Sequence, residues 1–260
     1  MKRKIVLAMI LTVLVLAGCA GQKDDGIVRG KWSHTYEGYP IVYIAPEVSA
    51  SGLLSAYESL EVSFDGTAAM KLSEADTGEN FAWGELIGEL SESLDESVVI
   101  DTPASVDFSE YGCTIVLSHF KSHVTAGFNG AVKQTAVISA KPETASRLSI
   151  GPCNLENLAN RGKQTADSLE GRILYINVMD RSTIESAGTV LPKSNTSDIG
   201  ILASYDPIAL DQACIDLIAL LREGAPLLSH INGCNGLDAL TYGEEIGLGN
   251  RTYALMTLDN

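Results

Sequence analysis

Ile199-Gly200-Ile201-Leu202-Ala203-Ser204-Tyr205-Asp206-Pro207-Ile208-Ala209-Leu210-Asp211-Gln212-Ala213 passes from a short apolar run straight into a helical pattern. Asp206 is suited to cap a helix, and Pro207 to its first position, where a missing N–H costs nothing. Gly224 and then Pro226 supply a stop, so a helix is predicted over Asp206–Arg222. Leu210, Ala213, Cys214, Leu217, Ile218 and Leu221 form its apolar stripe. Asp211 and Asp216 lie about 140° apart around such a helix and do not make a carboxylate pair on one face.

Outward from this unit, further short apolar runs read as strands: Ile41–Ala45, Ala68–Leu72, Val98–Ile100, Thr114–Leu117, Ile173–Val178, Ile199–Leu202 and Tyr253–Leu258. Ser49–Leu60 and Phe81–Leu94 carry apolar residues at three- and four-residue spacings and read as helices. Alternation of strands with helices predicts an α/β fold, a mixed or mostly parallel sheet flanked by helices.

The amino terminus has the layout of an export signal. Lys2, Arg3 and Lys4 precede the twelve-residue run Ile5–Leu16, apolar apart from Thr12, and Leu16-Ala17-Gly18-Cys19 follows at once. A helix of that length spans about 18 Å, short of the roughly 30 Å hydrocarbon core of a bilayer. The tetrapeptide resembles a bacterial lipobox, which implies cleavage before Cys19 and lipid on its thiol. Each buried methylene contributes about 0.8 kcal/mol, so two or more acyl chains anchor stably. The expected organisation is a signal peptide at 1–18, a lipidated tether at 19–38 and one α/β domain at 39–260, on the extracytoplasmic face of the cell membrane.

The chain of 260 residues has a formal net charge of −15, and removal of the signal takes away three cations and no acid, leaving −18. Such a surface repels nucleic acid and anionic lipid head groups. Cys113, Cys153, Cys214 and Cys234 include no C-x-x-C pair, which disfavours zinc-ribbon, thioredoxin-like and ferredoxin-like sites. Cys113 and Cys214 sit in apolar settings and read as small buried hydrophobes. Cys153 and Cys234 lie in loop-like stretches and are the first pair to consider for a disulfide outside the cytoplasm.

Chemistry is concentrated after Leu117, in Ser118-His119-Phe120-Lys121-Ser122-His123-Val124-Thr125-Ala126-Gly127-Phe128-Asn129-Gly130-Ala131-Val132-Lys133. A strand opening into a glycine-containing loop is where α/β sheets bind ligands. Between Thr114 and Asn154 stand Lys121, Lys133, Lys141 and Arg147 against the single acid Glu143. That segregation favours a small anion, with Gly127 and Gly130 allowing close backbone approach and Lys133 a point charge. The competing reading is a solvated basic loop without a ligand. No Walker A pattern is present, and His119 and His123 lack the Glu of an H-E-x-x-H zinc site. The strand before them and the glycines after them disfavour the helix that would pair them on a metal. Ser118 and Ser204 have no G-x-S-x-G setting.

These residues carry a family resemblance. Leu117 to His123 with Gly127 to Gln134, then Asp198 to Ala213, and finally Glu244 to Tyr253 resemble three motifs of the prokaryotic family known as domain of unknown function 362. With weaker similarity from Val42 through Lys71, the likeness spans nearly the whole mature chain. Ser122 and Asn129 stand where the family pattern has glycine, and Gln134 where it has asparagine. Many members carry a ferredoxin-like insert with two iron–sulfur clusters. Here the cysteine runs are missing and the stretch from Lys133 to Arg172 is too short for one, so no cluster is expected and the cofactor is left open. The family's Cys-Asp-Cys element is replaced by Arg181–Ser186. The functional expectation is a binding module holding a small anionic ligand at His119, Lys121, His123, Gly127, Gly130 and Lys133, with Ser204 and Asp206 at the helix start nearby. The alternatives are a redox-associated enzyme, implied by the iron–sulfur relatives alone, and a non-catalytic interaction lipoprotein.

Overall fold

The computed structural model describes residues 14–17, 26–72, 88, 98–100, 108–138, 154–189, 191 and 198–258. Cys19, Cys153, Lys141, Arg147 and, apart from Gly88, the helix expected over 81–94 lie outside them. Among the described residues no helix is long and apolar enough to cross a membrane.

The strands are β1 (Leu14–Ala17), β2 (Ile27–Gly30), β3 (Ser33–Tyr36), β4 (Tyr39–Ala45), β5 (Ala68–Leu72), β6 (Val98–Ile100), β7 (Cys113–His119), β8 (Lys121–His123), β9 (Gly127–Asn129), β10 (Ile173–Met179), β11 (Gly200–Ser204) and β12 (Ala254–Thr257). The main sheet runs β1-β12-β4-β11-β10-β7-β5-β6, with the β2–β3 hairpin joined to it through β4. All the strands along this path run one way except β11, which is antiparallel to both β4 and β10. The α/β architecture with a mostly parallel sheet is therefore present, with one reversed strand near its middle.

Alternation along the strands builds two cores, because successive side chains leave a strand on opposite faces. Ile41, Tyr43, Ala45, Ile115, Leu117, Leu174, Ile176, Ile201 and Ala203 pack on one face. Val42, Ile44, Val116, Ile173, Tyr175, Met179 and Leu202 pack on the other. The near-continuous apolar runs of the sequence follow from burial on both sides. The first face is covered by α1 (Ala50–Glu58), whose N-cap Ser49 accepts a bond from Gly52 N at 3.1 Å. Residues of α2 (Ala131–Ile138), α5 (Pro207–Leu220) and α6 (Ala225–Gly233) fill the second core; α3 (Leu155–Ser168) and α7 (Leu237–Glu245) add a smaller cluster with α2. A short helix α4 (Arg181–Glu185) follows β10.

Two parts of the expected organisation are revised. Residues 27–36, assigned to the tether, form the β2–β3 hairpin, and His34 is only 4% exposed. The leader segment supplies β1, parallel to β12; cleavage before Cys19 would leave β12 as the sheet edge.

Helix α5 begins where the sequence places it and is anchored by two aspartates. Asp206 Oδ1 accepts from Ile208 N and Ala209 N, both at 2.9 Å, and its Oδ2 accepts from Asn250 N at 2.8 Å and Nδ2 at 3.2 Å. A methyl group on Gly249 would meet Asp206 Oδ1 at 2.0 Å, so this approach needs glycine. One turn on, fully buried Asp211 accepts from Ala131 N at 2.8 Å and Val132 N at 2.9 Å, capping α2 from another helix, and from Asn177 Nδ2 at 2.8 Å. Asp216 faces elsewhere, towards Gln212 and Tyr253. Asp211→Asn turns a donor against one of these buried N–H groups. A loss of about 1–3 kcal/mol is expected, read as a lower urea midpoint at unchanged m.

Candidate functional site

Parallel strands β7 and β10 end together: His119 pairs in register with Val178, and Asp180 follows Met179. The two side chains therefore meet at the carboxyl edge of the sheet, His119 Nε2 lying 2.8 Å from Asp180 Oδ1. Ser182 Oγ donates to the same Oδ1 at 2.8 Å and lies 3.0 Å from His119 Nε2. Asp180 also caps α4 by accepting from Thr183 N at 3.1 Å. Burial pushes the Asp180 carboxyl up, but the His119 bond and charge, with Ser182 and Thr183 N, outweigh it and hold the pKa below its ordinary value.

This trio is not a serine-hydrolase relay. A relay needs the serine and the carboxylate on different ring nitrogens, so that one nitrogen takes the hydroxyl proton while the other is held. Here both partners address Nε2, and the Ser182 proton is directed at the carboxylate. The arrangement holds an imidazole and a carboxylate rigidly at the strand ends.

The stretch beyond His119 is a hairpin, β8 antiparallel to β9, before α2 begins. Lys121 pairs in register with Asn129, which puts their side chains on one face of the hairpin. Asn129 Nδ2 donates to the His119 carbonyl at 3.0 Å. Its Oδ1 accepts from Lys133 Nζ at 3.1 Å and Gln134 Nε2 at 2.7 Å. Two lysines thus flank one asparagine beside His119, and Lys133 is only 2% exposed. His123 is turned to local work, its Nδ1 accepting from Ala126 N at 3.1 Å, while its carbonyl accepts from His230 Nε2 at 3.0 Å. The histidines do not converge on one point.

The glycines of this segment serve the protein's own packing. Gly127 has φ +84°, and a methyl group on it would meet Gly236 Cα at 3.1 Å and Ile231 O at 3.2 Å, where the end of α6 crosses the hairpin. A methyl group on Gly130 would meet Asp211 Oδ1 at 2.4 Å. The expectation that Gly127 and Gly130 admit a ligand is thus revised: what they admit is a helix end and a carboxylate.

Ser204 and Asp206 do not join this cluster. Because β11 is reversed, Gly200 lies beside Met179 and Ser204 beside Tyr175, so the helix start stands at the opposite end of the sheet. Ser204 Oγ donates to Ile41 O at 2.8 Å, and Asp206 caps α5. Asp180, Ser182 and Asn129 were missed as site residues in the sequence. The signal for Asp180 was the equal ending of two apolar runs, which needs the parallel pairing of β7 with β10 to be read. Cys113 and Cys214 are buried as expected, and Cys234 is a free, partly exposed thiol.

A family model described as Domain of unknown function (DUF362) matches residues 70–216, which contain the hairpin, Asp180 and the two aspartates of α5. The chain belongs to this family. No curated protein and no solved structure matches it. The DUF362 match stops short of Glu244–Tyr253, yet Asn250 in that segment is bonded to Asp206 inside the matched region.

Asp206 and Asp211 are each pushed up to about 6, chiefly by burial, against the amides that hold their charged forms. An unfolded aspartate titrates near 3.9, so between that value and about 6 the folded DUF362 chain binds more protons. Their contribution to stability is full below the unfolded value and is lost as pH rises through about 6. The thermal midpoint is expected to climb from pH 7.5 to pH 5, and less steeply in Asp211→Asn. A flat wild-type profile, or equal slopes in both proteins, would contradict this.

Proposed function

We propose that the protein is a lipid-anchored extracytoplasmic binding module that holds a small anion, a phosphate or carboxylate, at the carboxyl edge of β7 and β10. The observation that carries this reading is the approach of Lys121 and Lys133 to Asn129, next to His119, in a chain of net charge −15. Point charges at a strand end, positioned by a buried amide, are what a small oxyanion needs. Asp180 balances His119, and the lysines supply the attraction.

The anchor sets the orientation. Seven residues lie between Cys19 and Ile27 at the start of β2, eight chain steps with a reach of at most about 29 Å. The hairpin end of the sheet then lies nearest the membrane and the anion site faces away from it, towards soluble ligand. The positive charge at the site also steers an anion past an otherwise repulsive surface.

Inorganic phosphate and citrate are expected to raise the thermal midpoint of the purified protein, by an amount that falls with added salt. Lys121→Gln, a change at a partly exposed position, should cut the apparent affinity about tenfold with the unliganded midpoint unchanged. Equal stabilisation of wild type and variant would sink the site assignment. For the anchor, Cys19→Ala should abolish incorporation of labelled palmitate and move the protein from the membrane to the soluble fraction; continued labelling would refute it.

A further inference from the structure

At the opposite end of the sheet, the β2–β3 hairpin and the end of β11 line an open cavity of about 190 Å³. Its walls include Trp32, His34, Pro40, Tyr205, Asp206 and Asn250. Three of these present rings: Tyr205 meets Trp32 edge-on with centroids 6.1 Å apart and His34 edge-on at 5.3 Å. The Tyr205 ring is held in place by its hydroxyl, which donates to Leu60 O at 2.9 Å. A 150 Å³ apolar cavity is large enough for benzene, so this volume suits one six-membered ring with a small substituent.

The polar groups sort by what they have left to offer. Asp206 spends both oxygens on four N–H donors, and Ser204 Oγ is bonded to Ile41 O and Asp206 N. A buried carboxylate with its lone pairs committed repels an anion and gives a cation no direct bond. His34 is different: it is 4% exposed, its Nδ1 is 2.8 Å from Tyr43 Oη, and its Nε2 has no partner among the described residues. Burial also lowers the His34 pKa, opposed by the charge of Glu61, so the ring is neutral at neutral pH. His34 lines the cavity, and its Nε2 is left to bond what enters it.

We infer that this cavity is a binding site for a neutral, single planar ring bearing a hydroxyl or carbonyl oxygen, with the ring against Trp32 and Tyr205 and the oxygen on His34 Nε2. Ring edges and faces at 4.5–7 Å add about 0.5–1.5 kcal/mol beyond area burial, which selects an aromatic ring over a saturated one. The site is separate from the anion site, and stands or falls independently of it.

The test is titration of the full chain with phenol, and with cyclohexanol as the saturated counterpart, followed by saturation-transfer NMR. Phenol is expected to bind saturably and more tightly than cyclohexanol. His34→Asn keeps a group near the Tyr43 hydroxyl and removes the Nε2 contact, so it should weaken phenol about tenfold, the loss of one buried hydrogen bond. Trp32→Ala, at a partly exposed hairpin position, should weaken phenol comparably if His34→Asn fails to fold. His119→Ala should leave phenol binding unchanged while affecting phosphate. Absence of saturable phenol binding, equal binding of cyclohexanol, or full phenol affinity in Trp32→Ala or a folded His34→Asn would overturn the inference.

Discussion

The first N–H groups of a helix have no partner within it, and when the helix start is buried something must supply acceptors. In this protein the acceptor is Asp211, a carboxylate borrowed from the middle of α5, which takes two amides of α2 and the amide of Asn177 on β10. Burying that charge is costly, as its raised pKa records, and only three well-placed donors make it tolerable. The geometry leaves no room for a side chain at Gly130. Once α2 is pinned, Asn129 and Lys133 on either side of its first turn are pinned with it, and so is the His119 carbonyl that Asn129 holds.

Seen through Asp206 and Asp211, the three motif segments become one object. Asp211 joins the second motif to the first, and Asp206 joins the second to the third through Asn250. Residues that look in sequence like ligand-binding devices, a glycine-rich loop and an acidic helix start, are consumed in making these joints. The chemistry not spent on these joints belongs to less regular positions: partly exposed Lys121 and the buried pair His119 and Asp180.

Much of the fold was legible because burial on both faces turns strands into unbroken apolar runs, and Val116, Tyr175 and Leu202 look no different in sequence from Ile115, Leu174 and Ile201 although they serve opposite cores. The start of α5 was legible because capping is local. The β2–β3 hairpin was not, since its strands are four residues each and mostly exposed apart from His34, giving no periodic signal. The site was half legible: strand-end basic residues stood out, whereas Asp180 depends on register between strands more than fifty residues apart. Ser204 and Asp206 were misplaced because the direction of β11 is set by tertiary pairing, which no local pattern encodes.

That reversed strand has an energetic consequence. With β11 running against its neighbours, the His119–Asp180 cluster and the start of α5 stand at two poles, separated by a strand of five residues or roughly 15 Å of sheet. Perturbations that far apart and sharing no partners ordinarily sum without cross-terms. Selection can therefore alter one pole without retuning the other, although helix α5 touches both, the β2–β3 hairpin pole with Asp206 and the far one through Asp211.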